Sequence, residues 1–263
     1  MTEILSLENP LAAFRLDGEV AAITGGGAGI GRGIAEAFAR VGAAIAILDR
    51  KEDAAEATAA AIRAAGVRAE ALVLDVADEA AVERTFAEIG RRLGRLDVLV
   101  NSAGIAVRKP ATELTLAEWQ MVQGVNVTGT FLCARAAARL MLPRARGSIV
   151  NLASIMGLSG GIYPNVGYQT SKGAVVNMTR ALAVEWAKQG IRVNAIAPTY
   201  VRTELTRPLL SNPEMRARVE AATPMGRVAE VPEIVGAALF LASRASSMVT
   251  GHILAVDGGF LAS

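Results

Sequence analysis

The sequence has little of what marks secreted or metal-binding proteins. Among 263 residues there is one cysteine, Cys133, so an intrachain disulfide is impossible and a reducing compartment is indicated. Cys133 lies in the apolar segment TFLCARAAARLM and is predicted to be a small buried hydrophobic residue. The one histidine, His252, begins a predicted strand and is assigned a structural role. Without a cluster of His, Cys and acidic residues, we predict no metal site.

A large net charge and long apolar runs are also missing. Lys and Arg number 27 against 25 Asp and Glu, and the basic residues form no block, so nothing favours nucleic acid or an anionic membrane as partner. No apolar run approaches the ~20 residues that cross a bilayer. The opening MTEILSLENPLAAFRLDG has acidic residues where a secretory signal has basic ones, and the closing GGFLAS carries no lipidation motif. We therefore expect a cytoplasmic protein.

Short apolar runs alternate regularly with longer alanine-rich stretches. Seven runs are nearly continuous in Val, Ile, Leu and Ala, as is typical of strands covered on both faces: 20–24, 43–49, 69–75, 96–101, 148–154, 192–198 and 252–258. Helical periodicity is found in 30–41, 51–65, 78–93, 115–141, 166–189 and 230–243. Gly42, Gly66 and Gly190 follow three of these helices, where a C-cap favours glycine. The pattern predicts an α/β protein with a doubly wound parallel sheet and helices on both faces.

The segment 199–225 departs from this alternation. It carries several prolines and short helical pieces, and it follows the C-terminal end of a predicted strand, where ligands bind in open α/β sheets. We predict a mobile lid over a pocket, with a long surface connection as the alternative.

The glycine-rich segment TGGGAGIG, residues 24–31, follows the first predicted strand and opens the first predicted helix. Glycine permits a sharp turn close to a ligand, and the helix N-terminus offers N–H groups to a pyrophosphate. The Lys-Ser/Thr pair of a Walker loop is missing. Asp49, at the end of the second strand, can bind an adenosine ribose and repel a 2′-phosphate, which favours NAD over NADP. A helix N-cap is the alternative role for Asp49, and Arg50 and Lys51 could serve a phosphate.

The segment YQTSK places Tyr168 and Lys172 four residues apart, on one face of a predicted helix. A cation ~5 Å from a phenolate, at an effective dielectric of ~20, favours the charged form by roughly 3 kcal/mol. We therefore expect the pKa of Tyr168 to lie near ~8 rather than ~10, within reach of acid/base catalysis. Ser154 ends the predicted strand before this helix, and a hydroxyl there could help to hold and protonate a carbonyl oxygen.

Two asparagines are candidates for the same site. Asn101 ends the preceding strand in NSAG, and Asn126 lies inside a predicted helix in GVNVTG. Asparagine is a poor residue for a helix interior, so its presence there indicates a polar role. A buried amide bonded to the backbone is the alternative.

These motifs, together with LDV, RVNAIAP and VTGHILAVDGG in the same order, resemble the classical short-chain dehydrogenase/reductase family over essentially the whole chain. The resemblance implies a single-domain Rossmann fold with a seven-stranded sheet, usually in a homotetramer. It implies that Tyr168 is the acid/base and that Ser154 orients the reacting oxygen. Lys172 would bond the nicotinamide ribose and lower the pKa of the tyrosine. Asn126 would hold a water that links Lys172 to solvent.

The resemblance also implies a set of cofactor contacts. Asp49 would bind the adenosine ribose, and Asp75 and Val76 would flank the adenine. Pro198, Val201 and Thr203 would close over the nicotinamide amide. The other implied contacts with the cofactor are Gly25, Gly29, Ile30, Gly31, Asn101, Ala103, Gly104, Tyr168 and Lys172.

The substrate is indicated by wider stretches, FRLDG, NSAGIA, TRALAVEWA, TPMGR and GHILAVDGGF. They resemble bacterial NAD-dependent polyol dehydrogenases of the galactitol type, with gluconate 5-dehydrogenases and sugar dehydrogenases also similar, which implies a polyol or sugar. Besides Ser154 and Tyr168, polar residues near the expected pocket could bind its hydroxyls or could be solvated lid residues: Asn165, Thr199, which stands where the family usually has glycine, Tyr200 and Thr206.

Two other functions remain open. An NADPH-dependent 3-oxoacyl carrier-protein reductase shares the core motifs, but Asp49 and the lack of a basic residue in GGGAG argue against it. A catalytically silent cofactor-binding protein is the second alternative. Such family members usually lose the tyrosine or the lysine, and here Tyr168 and Lys172 are both present.

Overall fold

The computed structural model describes residues 9–263, so the segment MTEILSLENPLAAFRLDG, in which we expect no secretory signal, lies partly outside the described residues. Within them, seven strands form one parallel sheet in the order β3-β2-β1-β4-β5-β6-β7. The predicted doubly wound sheet is confirmed. The strands are β1 (Val20–Thr24), β2 (Ala44–Asp49), β3 (Ala69–Val73), β4 (Val98–Asn101), β5 (Gly147–Leu152), β6 (Ile191–Pro198) and β7 (Ile253–Val256).

Helices cover both faces of the sheet. They are α1 (Gly29–Arg40), α2 (Glu52–Ala64), α3 (Glu79–Leu93), α4 (Leu116–Gln123), α5 (Thr130–Met141), α6 (Val166–Trp186), α7 (Arg207–Leu210), α8 (Pro213–Ala221) and α9 (Val231–Ala242). Helices α1, α2 and α9 share one hydrophobic core with Ile23 and Val100, whereas α3, α5 and α6 share another with Ala22 and Leu99. Neighbouring strand residues thus face opposite layers, which explains why the strands are almost continuously apolar.

Single residues agree with several predictions. Gly42, Gly66 and Gly190 all have positive φ after a helix, as a C-cap glycine requires. Cys133 is fully buried in the core, and burial raises the pKa of its thiol to about 12, which confirms it as a buried hydrophobic residue. No helix in the described part of the chain combines the length and apolar character that a membrane span needs.

The predicted helix 115–141 is present from Leu116 to Met141, but it contains one wider turn that the periodicity did not predict. A capping box between Thr115 and Glu118 starts α4, but GVNVTG (Gly124–Gly129) then forms a π-helical turn before α5 continues. The Thr130 hydroxyl donates to the Asn126 carbonyl (2.8 Å) inside this turn. A β-carbon on Gly129 would lie 2.6 Å from Val76 Cγ2, so the turn packs closely against the loop that follows β3. Such π-turns occur where a helix serves a functional site.

The segment 199–225 packs outside the sheet, beyond the carboxyl ends of the strands. It contains α7 and α8, and its start is held by a short parallel bridge between Val201 and Ala229. Leu209, Leu210 and Val219 are buried in a separate cluster with Ile155, Met156 and Tyr200. The predicted lid therefore rests on the loop that follows Ser154 through apolar contacts.

The short 3₁₀ turn Ile155–Gly157, which follows Ser154, lies against the backbone of α6. A β-carbon on Gly157 would lie 2.6 Å from both the carbonyl carbon and the oxygen of Lys172. Backbone atoms cannot rotate away as a flexible side chain can, so glycine is required for this close approach.

We expect Gly157→Ala to destabilise the fold by about 1–3 kcal/mol, because the methyl group must push the turn away from α6. Chemical denaturation followed by circular dichroism measures this. Gly160→Ala is the matched control, because a β-carbon there would meet nothing within 4 Å. Equal stability of the two variants would show that the turn and α6 are not rigidly packed.

Candidate active site

A cavity of about 270 Å³ opens at the carboxyl edge of the sheet. Its walls come from the glycine-rich turn, the NSAG turn after β4, the end of β5, α6, the end of β6 and the segment after it. This is the edge at which open α/β sheets bind ligands, next to the point between β1 and β4 where the strand order reverses. Of the residues predicted from the sequence, those that line it are Gly25, Gly29, Ile30, Ala103, Gly104, Ser154, Tyr168, Lys172, Pro198, Thr199, Val201, Thr203 and Thr206.

The structure places other predicted residues outside the cavity walls. These are Gly31, Asp49, Asp75, Val76, Asn101, Asn126, Asn165 and Tyr200. Asp75 is exposed and accepts a bond from the Ala77 N–H (3.0 Å), whereas Val76 is buried against Gly129.

The N-terminus of α1 faces this cavity through Gly29 and Ile30. The N-cap residue is Ala28, which has no side-chain acceptor, and the first turn contains no acidic residue. The first N–H groups of the helix are therefore available to an anion. Gly25 has a φ of 63°, and a β-carbon there would lie 3.0 Å from Ala103 Cα, so the turn must be glycine. This arrangement fits the pyrophosphate of a dinucleotide.

Asp49 lies beside the glycine-rich turn. One carboxylate oxygen accepts from the Gly27 N–H and the other from the Lys51 N–H, both at 3.0 Å. The alternative role as a helix cap is wrong, because α2 begins at Glu52 with Lys51 as its N-cap. Each oxygen has further lone pairs, so the carboxylate can still accept from ribose hydroxyls.

The side chain of Asn101 points into the interior rather than into the cavity. Its Nδ2 donates to Asn151 Oδ1 on β5, and Asn151 Nδ2 donates to Thr179 Oγ1 on α6, both at 2.9 Å. The NSAG turn is held instead by Thr24, whose Oγ1 accepts from the N–H groups of Ser102 (3.0 Å) and Ala103 (3.1 Å). Sequence reasoning missed Thr24, although a threonine at the end of β1 was visible in TGGGAGIG.

Asn126 is fully buried and connects the β4 loop to α6. Its side chain exchanges two bonds of 2.9 Å with the backbone of Ile105, and its Nδ2 also donates to Ser171 Oγ at 2.9 Å. Ser171 in turn donates to the carbonyl of Tyr168 (2.7 Å). Asn126 is therefore a buried amide bonded to the backbone, as the alternative interpretation from the sequence proposed. Its bond to Ser171 also helps to position α6. Ser171, within YQTSK, was missed as a positioning residue.

Ser154, Tyr168 and Lys172 meet inside the cavity. Ser154 Oγ accepts from the Met156 N–H (3.1 Å), which leaves its own O–H free to donate. Lys172 Nζ donates to the carbonyl of Leu152 (2.6 Å) and lies 5.6 Å from the centroid of the Tyr168 ring. The end of β5 thus fixes both the hydroxyl and the ammonium.

The expected low pKa of Tyr168 is wrong for this site. Burial raises the pKa of Tyr168 to about 12, and the opposing effects of the Ser154 hydroxyl and Arg108 are smaller. Burial also lowers the pKa of Lys172 to about 8. The Coulomb argument from spacing omitted the loss of hydration that both groups suffer.

Three residues near the cavity have buried polar atoms without a partner. Six such side-chain atoms occur among residues 9–263, and four of them belong to Asn165 (both amide atoms), Thr199 (Oγ1) and Tyr200 (hydroxyl). Buried polar groups are normally satisfied, so these atoms can accept or donate a further hydrogen bond, and of the three residues Thr199 lines the cavity. Thr206 differs, because its hydroxyl accepts from the Thr203 N–H (3.1 Å) within the turn.

We expect Lys172→Met to change how stability depends on pH. The folded state binds fewer protons than the unfolded state between pH 8 and the ordinary lysine value of 10.5, so wild-type stability rises across this window. Below pH 8 the buried ammonium costs about 3 kcal/mol, which methionine avoids.

As the pH is lowered from 10.5 to 7, the free energy of unfolding of the variant should therefore rise by about 3 kcal/mol relative to that of wild type. Urea denaturation at several pH values measures this difference. Lys188→Met, at an exposed position, is the control. A Lys172→Met difference that is constant with pH would contradict the buried-cation interpretation.

Comparisons with known proteins agree with this geometry. Residues 25–261 match the family model described as Enoyl-(Acyl carrier protein) reductase. The galactitol 2-dehydrogenase (L-tagatose-forming) of Cereibacter sphaeroides is 48% identical, over 94% of this chain and 96% of that protein. The gluconate 5-dehydrogenase of Gluconobacter oxydans is 40% identical, over 95% and 97%.

A solved structure of a related dehydrogenase is similar to this chain in both fold and sequence. The crystal structure of a gluconate 5-dehydrogenase from Burkholderia cenocepacia, in complex with NADP and tartrate, has a TM-score of 0.93 at 41% identity and covers 96% of this chain and 99% of that one. With this similarity over nearly the whole length, the chain belongs to the short-chain dehydrogenase/reductase family of oxidoreductases.

Proposed function

We propose that this protein is an NAD-dependent dehydrogenase that interconverts a secondary alcohol of a polyol or sugar and its ketone or lactone. The observation that carries this proposal is the meeting of Ser154, Tyr168 and Lys172 in the cavity that the N-terminus of α1 also faces. One end of the cavity suits a pyrophosphate, and the other carries a proton donor and a hydroxyl that can orient an oxygen.

The residues of this site hold and move a proton. At neutral pH Tyr168 is a neutral phenol and Lys172 is mostly an ammonium, which is the state that protonates a carbonyl oxygen during reduction. In oxidation Tyr168 must first lose its proton and then accept that of the substrate hydroxyl. The Ser154 O–H donates to the same substrate oxygen and fixes its position. The nicotinamide, when bound, accepts or returns the hydride.

The unpaired groups support a polyhydroxylated substrate. Asn165 offers two N–H donors and an acceptor, and Thr199 and Tyr200 each offer a hydroxyl. Of these three residues Thr199 lines the cavity and could bond a polyol hydroxyl directly, whereas an apolar alcohol would leave its hydroxyl unpaired. Galactitol and gluconate, which the names of the relatives give as their substrates, are both compounds of this kind.

The choice of NAD rests on Asp49. Its carboxylate is half-buried beside the turn at Gly27, where it would accept from ribose hydroxyls and repel a 2′-phosphate. The related Burkholderia structure holds NADP instead of NAD. The effect of the Asp49 charge on the preference between the two cofactors is therefore what an experiment must test.

The family also supports a homotetramer, with 115–141, 166–189 and 252–256 as interface segments. Large apolar side chains are exposed on the first two: Leu116 (70%), Met121 (50%), Phe131 (40%) and Val184 (83%). An interface that covered these side chains would remove them from water, which favours association. We further propose that 199–225 acts as a lid and that the protein is cytoplasmic, where its one cysteine stays reduced.

We expect Tyr168→Phe to lower kcat/KM by about 10²–10⁴-fold, since it removes the proton-transferring oxygen and little else. Absorbance at 340 nm with NAD and a panel of polyols, sugars and acyl thioesters measures this, and NADH fluorescence measures cofactor binding. Ser247→Ala, which removes an exposed hydroxyl that does not line the cavity, is the control. Full activity of Tyr168→Phe would refute the mechanism, and activity on acyl thioesters alone would refute the substrate class.

Asp49→Asn should raise the ratio of kcat/KM with NADP to that with NAD by at least about tenfold. The change removes the repelling charge but keeps an oxygen that can accept the Gly27 bond. Asp53→Asn makes the same charge change in the first turn of α2. If both variants shift the ratio equally, general surface charge and not Asp49 sets the preference.

A further inference from the structure

The hydroxyl of Thr199 is a buried group without a partner in the wall of the cavity. Thr199 is half-buried and lines the cavity, but its Oγ1 is shielded from solvent and has no hydrogen-bond partner among residues 9–263. Two other lining hydroxyls, those of Thr203 and Thr206, lie 3.2 Å apart and satisfy each other. Thr199 therefore has both a donor and an acceptor to offer a ligand.

The backbone of Thr199 is fixed, whereas its side chain can turn. Thr199 directly follows Pro198, the last residue of β6, and its N–H donates to the carbonyl of Val256 on β7 (3.1 Å). Because the hydroxyl makes no bond, a rotation about the Cα–Cβ bond from one staggered position to another loses no hydrogen bond. The hydroxyl can therefore turn towards a ligand in the cavity while the backbone stays in place.

The pairing of β5 with β6 brings Thr199 beside Ser154. The N–H of Ala153 extends this parallel ladder beyond the end of β5 by donating to the carbonyl of Ile196 (2.8 Å). The same register sets Ser154 opposite Pro198, and therefore next to Thr199. Since neighbouring strands lie ~4.8 Å apart and a strand rises ~3.3 Å per residue, the two backbone positions are about 6 Å apart. An oxygen held by Ser154 thus lies close to the Thr199 side chain.

We propose that Thr199 is a specificity-determining residue that binds the hydroxyl on the carbon next to the reacting one. That hydroxyl is near enough to meet Thr199 while the reacting oxygen lies at Ser154 and Tyr168. A site that hydrogen-bonds a substrate hydroxyl discriminates against an analogue that lacks it, because the protein group is then left unpaired. This inference rests on the proposed function and narrows it to substrates in which the reacting hydroxyl belongs to a vicinal diol.

The test compares kcat/KM for meso-2,3-butanediol and for 2-butanol, which differ by one hydroxyl on the carbon next to the reacting one. We expect the diol-to-alcohol ratio to fall about tenfold in Thr199→Val, because a methyl group of the same size replaces the hydroxyl and cannot form a hydrogen bond. Thr199→Ser keeps the hydroxyl, so its ratio should stay within about threefold of the wild-type value.

Thr223→Val is the matched control, since Thr223 is buried in the same segment, lies outside the cavity walls and already donates to the Val219 carbonyl (2.9 Å). Its ratio should equal that of wild type. An unchanged ratio in Thr199→Val would overturn the inference, as would wild-type activity on larger polyols without activity on the butanediol. A matching loss of NADH affinity in a fluorescence titration would also overturn it, because Thr199 would then serve the cofactor. A wild-type protein that oxidises no alcohol with NAD or NADP would instead refute the proposed function itself.

Discussion

The buried ammonium of Lys172 is the constraint on which the site depends. Its bond to the Leu152 carbonyl joins α6 to the end of β5, and this join also brings Tyr168 next to Ser154. The group is only 5% exposed, so the fold must be rigid enough to keep water from restoring its hydration. The close contact of Gly157 with the α6 backbone and the bonds of Asn126 supply that rigidity. Burial of the Lys172 ammonium lowers the stability of the fold, and it shifts the pKa values of Tyr168 and Lys172 in opposite directions.

Most of the fold follows from local patterns. Continuous apolar runs predicted all seven strands, and glycines at 42, 66 and 190 correctly predicted three helix ends. The π-turn at Gly124–Gly129 could not be predicted, because periodicity does not distinguish 3.6 residues per turn from one wider turn. The local sequence offers only weak signs of this turn, namely Asn126 between two glycines, all of them weak helix formers. The close packing of Gly129 against Val76 is a tertiary contact that no local pattern reveals.

The site could be predicted as a set of positions but not as an electrostatic environment. The motifs predicted twelve lining residues besides Thr206, including Ser154, Tyr168 and Lys172. They did not predict that burial raises one pKa and lowers the other, because desolvation depends on everything packed around the pair. Asn101 shows the same limit. Its place at the strand end was correct, but its side chain turns inward to Asn151.

The electrostatics of the cavity depend on burial more than on the charge of neighbouring groups. Lys172 Nζ lies 5.6 Å from the centroid of the Tyr168 ring, yet the loss of hydration raises the pKa of the phenol and lowers that of the ammonium. At neutral pH the site therefore combines a neutral proton donor with a cation. Negative charge that developed on an oxygen at Ser154 and Tyr168 would be stabilised by groups that are already in place, because the Leu152 carbonyl fixes the ammonium and the end of β5 fixes the hydroxyl.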